Sequence, residues 1–220
     1  MEPAVSRFRH IAIEGAIGVG KTTLARRLAA HFGAELLLEQ AGDNPYLGRY
    51  YDDPTGYAFQ TQVFFLFQRL RQVTALAQPG MFSPAVVSDF MFAKDALFAR
   101  MTLSDDEFAL YRQMYGQAEA RVPQPDLIIW LQAPVFTLLS RIQQRGIAIE
   151  QRIDAAYLER LVAAYATYFE TFDRAPVLVV QTERFHPAGR DADFQRLIGK
   201  IGAITGQRAF LGAPDEPRLT

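Results

Sequence analysis

The run Gly15-Ala16-Ile17-Gly18-Val19-Gly20-Lys21-Thr22 has residue types and spacing suited to holding a chain of phosphates. It fits the pattern G-x-x-x-x-G-K-[ST] of a phosphate-binding P-loop. Glycines let successive backbone N–H groups turn inward around phosphate oxygens. A helix that starts at the lysine adds the partial positive charge of its N-terminus. Lys21 can reach the β- and γ-phosphates, the Thr22 hydroxyl can ligate Mg²⁺, and Thr23 continues the binding surface. The bland alternative is a glycine turn with a chance lysine, and four matched positions between an apolar run and a helical one speak against it. The motif implies a nucleoside triphosphate and leaves open what is done with it.

Two acids stand where such a ligand could be used. Glu39 follows the apolar run 36–38, and Asp89 follows the run 85–88. Ligands of open α/β sheets bind beyond the carboxyl ends of the strands. Phosphoryl transfer to a hydroxyl wants one carboxylate near the acceptor oxygen and another near Mg²⁺. Periodicity does not assign the two roles, and each acid taken singly is as readily a solvated strand end or a helix cap. Arg141 and Arg145 lie four residues apart on one helix face, able to neutralise phosphate charge but equally able to be surface arginines.

These residues need a scaffold that delivers them to one place. Short apolar runs at 10–14, 36–38, 85–88, 127–131 and 177–180 read as five buried strands. Helical spacing covers 21–32, about 55–77, about 135–145 and about 154–174, with a last helix from near Asp191. Ser104 and Glu107 form a capping box that opens a helix to about Ala120. Residues 43–53 read as a loop because Pro45 and Pro54 break it, and Pro79-Gly80 should stop the long helix. Strands buried on both faces need helices above and below, so the expected fold is α/β, a five-stranded parallel sheet flanked by helices on both faces. The chain of 220 residues fits one domain over 1–220, with the tail from about Gly206 to Thr220, containing Pro214 and Pro217, loosely ordered.

Composition narrows the partners. A net charge of −1 supplies no basic field for nucleic acid or an anionic membrane. The absence of cysteine excludes disulfides and thiolate metal sites. Residues 1–9 lack the apolar stretch of a secretory signal, and no run reaches the ~18–20 apolar residues that span a bilayer. A cytoplasmic protein with no nucleic-acid or membrane partner is expected.

With these residues in view, the chain resembles the deoxynucleoside kinase family. The resemblance rests on residues 11–28 (IAIEGAIGVGKTTLARRL), Leu38-Glu39-Gln40, Asp43-Asn44-Pro45-Tyr46-Leu47, and the stretch from Tyr51 to Arg69. It continues through Val87-Ser88-Asp89, Asp95 to Ala99, 126–134 (DLIIWLQAP) and Arg141 to Leu161, covering about residues 9–182. It implies a P-loop kinase that moves phosphate from Mg·ATP to the 5′-hydroxyl of a deoxynucleoside in nucleotide salvage, works as a homodimer through its long helices, and leans toward a purine base, deoxyadenosine or deoxyguanosine. By resemblance, Glu39 is the general base, Tyr51 and Glu150 hold the 3′-hydroxyl, Gln62 reads the base edge, and Arg69 with Asp95 completes the base pocket. Asp89 with Thr22 holds Mg²⁺, and Arg141 and Arg145 belong to an arginine-bearing lid over about 141–152. Phe64, Phe65 and Phe67 are read as core or as a dimer face, and Phe92 and Phe98 as core.

The chain departs from the family in two places. Phe90 stands where an arginine usually follows the strand-end acid, and Ile147 stands where many lids carry another arginine. Lys94, one helical turn on, is a candidate to supply the missing charge. The departures favour one alternative, a non-catalytic nucleotide-binding regulatory protein. A second alternative is a nucleoside monophosphate kinase of the thymidylate kinase type, opposed by Phe90 and by the placement of Glu39. A GTPase is opposed by the lack of an Asn-Lys-x-Asp motif.

Overall fold

The strand that feeds the glycine turn lies inside the sheet. In the computed structural model, which describes residues 7–75 and 85–212, β1 (His10–Glu14) pairs in parallel with β3 (Val86–Ser88) on one side and β4 (Leu127–Gln132) on the other. β2 (Glu35–Leu37) lies outside β3, while β5 (Val177–Gln181) and β6 (Arg208–Leu211) lie outside β4. The order is β2-β3-β1-β4-β5-β6, every pairing parallel. Successive strand residues point to opposite faces, so the nearly continuous burial along β1, β3, β4 and β5 means that both faces are covered.

The sheet has six strands, one more than expected, and the sixth falls in the tail. β6 has Arg208 and Phe210 exposed, Ala209 half-buried and Leu211 buried. It is an edge strand whose apolar signal is too short to read from sequence. The loosely ordered tail is thereby corrected for residues up to 212, and Pro214 and Pro217 lie outside the described residues.

Eight helices accompany the strands among the described residues: α1 (Lys21–Phe32), α2 (Leu47–Asp52), α3 (Pro54–Ala75), α4 (Lys94–Thr102), α5 (Asp105–Glu119), α6 (Val135–Arg145), α7 (Ala155–Glu170) and α8 (Asp191–Ala203). α1 begins at Lys21 and closes on Gly33, whose φ of 62° provides the left-handed cap. The capping box at the start of α5 is present: Ser104 Oγ accepts from the Glu107 N–H, and Glu107 Oε2 accepts from the Ser104 N–H at 2.9 Å. The expected loop 43–53 is largely structured, with a 3₁₀ turn at Ala41–Asp43 followed by α2. Pro54 does not break a helix but begins one, since a first-turn residue needs no N–H. Asp53 caps α3 by accepting from the Gly56 N–H at 3.0 Å. The expected stop at Pro79-Gly80 lies outside the described residues.

The apolar interior forms two clusters. One packs the sheet against α1, α6, α7 and α8. The other gathers Ala58, Leu66 and Val73 of α3 with Ala99 of α4 and Tyr111 and Ala118 of α5, around Phe90 and Phe92. The second cluster fixes α3 and α4 relative to the ends of β2 and β3, and the acceptor side of the site is built there.

Candidate active site

Gly15 leaves β1 with φ of 141°, and a Cβ there would stand 2.3 Å from the Leu131 carbonyl oxygen. Gly18, with φ of 84°, passes Leu138 O so closely that a Cβ would lie 2.8 Å from it. Only glycine fits such an approach, which is why the turn can present its backbone. Lys21 Nζ folds back to donate to Gly15 O at 2.8 Å and Ala16 O at 3.1 Å. Burial, with the nearby charge of Lys94, brings its pKa down to about 8, against the pull of Glu14, Glu39 and Asp89.

Thr22 and Asp89 meet directly. The Thr22 hydroxyl donates to Asp89 Oδ2 at 2.5 Å, and the other oxygen, Oδ1, accepts from the Glu39 backbone N–H at 2.7 Å. One carboxylate thus ties the P-loop helix to the segment that carries Glu39. That segment is held from its other side by α3: Gln72 Nε2 donates to Leu38 O at 2.8 Å, and Gln68 Nε2 donates to Gln40 O at 3.0 Å. Glu39 lies two residues past the end of β2, and its position depends on these three side chains rather than on the sheet ladder.

The Glu39 carboxylate is clamped by two cations. Oε1 accepts from Arg69 Nε at 2.9 Å and Nη2 at 2.5 Å, and Oε2 accepts from Lys94 Nζ at 2.7 Å. Burial alone would raise its pKa, but Lys94 and Arg69 overcome this and hold the carboxyl well below the usual carboxylate range. Arg69 also pairs with Asp95, which is fully buried. Burial pushes the Asp95 carboxyl up to about 6 against the attraction of Arg69.

A cavity of about 870 Å³ joins these parts. Of the residues singled out from sequence, Ile17, Gly18, Gly20, Lys21, Thr22, Thr23, Glu39, Tyr51, Gln62, Arg69, Asp89, Arg141, Arg145 and Glu150 border it. Gln62 is buried on α3, and its Oε1 has no hydrogen-bond partner among the described residues. Glu150 is paired with Arg145. Burial, with Tyr50 and Glu150 nearby, pushes Tyr51 up to about 12.

Two placements differ from expectation. Asp95 was expected in the pocket wall, yet it does not border the cavity and reaches it only through Arg69. Arg141 was expected to steady the transferred phosphoryl beside Arg145. Its guanidinium instead donates to Thr182 Oγ1 at 3.0 Å, Thr182 O at 2.7 Å and Val19 O at 3.3 Å. It borders a second cavity of about 410 Å³ on the other side of the P-loop, with Val19, His186 and Arg190. Phe90, which stands where the family usually has an arginine, is fully buried in the second apolar cluster.

Sequence reasoning missed Glu14. It is fully buried, and its carboxylate accepts from the Gly15 N–H at 3.2 Å, the Met91 N–H at 2.7 Å and the Tyr165 hydroxyl at 2.8 Å. It pins the P-loop's first residue to the segment after Asp89. Its only signal in the sequence was a charge ending an otherwise apolar strand. Phe65, read as core or dimer face, is buried yet borders the cavity, and Arg69 lies over its ring at 4.6 Å.

Thr22 and Asp89 are hard oxygen donors at a helix start beside the phosphate turn, which fits Mg²⁺. Among the described residues no three His, Cys, Asp or Glu side chains converge to hold a metal.

Comparison with known proteins points the same way. A family model described as deoxynucleoside kinase matches residues 11–204. The chain is 34% identical to a deoxyguanosine kinase of Bacillus subtilis (strain 168), over 87% of this chain and 95% of that protein. It is 28% identical to a deoxyadenosine/deoxycytidine kinase of the same organism, over 88% and 92%. Its fold superposes on a deoxyadenosine kinase from M. mycoides with bound dCTP at a TM-score of 0.74 and 24% identity, over 89% of this chain and all of that one.

Proposed function

The chain belongs to the deoxynucleoside kinase family, and from that premise we propose that it transfers the γ-phosphoryl group of Mg·ATP to the 5′-hydroxyl of a purine deoxynucleoside in cytoplasmic nucleotide salvage. The observation that carries the reading is the chain Thr22–Asp89–Glu39: one carboxylate positions the acceptor-side acid against the phosphate-binding helix.

In this reading the P-loop amides and Lys21 cradle the donor phosphates. Mg²⁺, held by Thr22 and Asp89, would neutralise charge on the β- and γ-phosphates. Glu39 is ionised and accepts the proton of the 5′-hydroxyl while holding that oxygen in line with the γ-phosphorus. Tyr51 and Glu150 take the 3′-hydroxyl. The unpartnered Gln62 amide oxygen accepts from an amino or imino group of the base, because a buried acceptor left unmet costs free energy. Arg69, backed by Asp95, forms the far wall of the base pocket. Arg145 lies on the lid over the phosphoryl path, and Arg141 with the second cavity suits the donor's adenosine. α3 and α5 leave Phe67 and Leu110 about half exposed, and this apolar face suits the homodimer expected of the family.

A monophosphate acceptor fits less well. Its phosphate would face the Glu39 carboxylate, while Arg69 is already committed to Glu39 and Asp95. A panel of the four deoxynucleosides and their monophosphates with Mg·ATP, read by ADP release, tests the proposal. Turnover with deoxyguanosine or deoxyadenosine is expected. Turnover with monophosphates alone would overturn it.

A further inference from the structure

Lys94 opens α4 and is buried, yet its side chain borders the cavity. Its Nζ donates to Glu39 Oε2 at 2.7 Å and lies 5.4 Å from the centre of the Phe98 ring. Glu39 is the ammonium's one hydrogen-bond acceptor among the described residues, so two of its three N–H donors are unused. A buried ammonium with idle donors is costly unless a ligand takes them.

Arg69 is in a different position. Its guanidinium is committed to Glu39 through two nitrogens and to Asp95 through a third, so it is a fixed strut. Lys94 makes one contact through a flexible stem, and it approaches the Glu39 oxygen that Arg69 leaves free. Both Lys94 and Lys21 border the space between Glu39 and the P-loop.

We infer that Lys94 is a catalytic cation that serves both reactants: it orients Glu39 before transfer and donates to a γ-phosphoryl oxygen during transfer. The inference rests on the kinase reading above. In the step, the 5′-oxygen bonds to the γ-phosphorus while the bond from that phosphorus to the β–γ bridging oxygen breaks, and ADP leaves with the electron pair. The 5′-hydroxyl proton passes to Glu39. Lys94 gives up no proton. As Glu39 becomes neutral its attraction for the ammonium falls, and the hydrogen bond passes to an equatorial phosphoryl oxygen, where negative charge is then concentrated.

The test compares Lys94→Gln, Lys94→Met and Lys94→Arg with the wild type by kcat, by KM for each substrate, by equilibrium binding of ATP and of deoxynucleoside, and by melting temperature. Loss of one donor to the developing charge is expected to lower kcat of Lys94→Gln by about 100- to 1,000-fold, with the deoxynucleoside KM changed less than about threefold. Lys94→Arg should recover about tenfold of that loss, because it keeps a charge on a stem of similar reach. A kcat for Lys94→Gln close to wild type would overturn the inference, as would a loss confined to KM or to melting temperature. Should Lys94→Gln fail to fold, Lys94→Met is read in the same way. A wild-type enzyme inactive on every deoxynucleoside would instead overturn the parent reading, and the two failures are told apart in one assay.

Discussion

The two halves of the cavity are built by different means. The half proposed to hold the donor is backbone: eight consecutive residues form the glycine turn, and glycine is required where a Cβ would strike Leu131 O or Leu138 O. The acceptor half is side chains from distant segments, with Glu39 after β2, Gln62 and Arg69 on α3, Lys94 on α4, and Glu150 after α6, and with Asp95 of α4 behind Arg69. A backbone-built turn reads phosphate oxygens rather than a base, and it is local in sequence. A side-chain-built site discriminates among acceptors and exists only once α3, α4 and the sheet have packed. Asp89 joins the halves, with one carboxylate oxygen on each.

The contrast predicts where damage should fall. Glu39→Gln removes the proton acceptor but keeps the shape, so kcat should fall about 10²- to 10⁴-fold while ATP affinity is unchanged. A parallel loss of ATP binding would mean that the halves are not separable. Arg69→Leu leaves the fully buried Asp95 and the mostly buried Glu39 with one fewer cation, and should cost about 3–5 kcal/mol in chemical denaturation. Lys21→Met, in the donor half, should lower ATP affinity and turnover with a far smaller change in stability.

A fourth substitution probes the foundation that both halves share. His10, at the opposite end of β1 from the P-loop, has its pKa brought down to about 4 by burial, against the attraction of Asp126. Its folded pKa is lower than its unfolded one, so its contribution is complete above about pH 6.5 and is lost as pH falls toward 4. The loss should approach about 3 kcal/mol at the acid end of that window, and His10→Gln should flatten this part of the stability profile. The smallest expected effect is at Gly18. Gly18→Ala must strain a left-handed turn against Leu138 O and should cost about 1–3 kcal/mol, weakening ATP while leaving deoxynucleoside binding intact.

This division also explains how much was legible in the sequence. Lys21 and Thr22 could be read directly because the P-loop is contiguous and sits between an apolar strand and a helix. Glu39 and Asp89 were placed by strand ends, although the strand before Glu39 stops earlier, at Leu37. α4 was not recognised, because its buried face carries Lys94 and Asp95, charges that look solvent-facing until Glu39 and Arg69 pair with them. α2 was taken for loop because it is six residues long and buries none of them fully. Helical spacing put Arg141 and Arg145 on one face, but their long stems diverge, one to Thr182 and the other to Glu150. The acceptor half was legible mainly through resemblance to a family, because nothing local in the chain records which distant charges will meet.

In the proposed reaction the Glu39 side of the cavity presents a sugar hydroxyl to the phosphorus held on the Lys21 side. It is tested most directly by ³¹P and ¹H NMR of the product formed by the wild-type enzyme from deoxyguanosine and Mg·ATP. One deoxynucleoside 5′-monophosphate is expected for each ADP released. ADP release without a phosphorylated nucleoside, or phosphate on the 3′-oxygen, would contradict it.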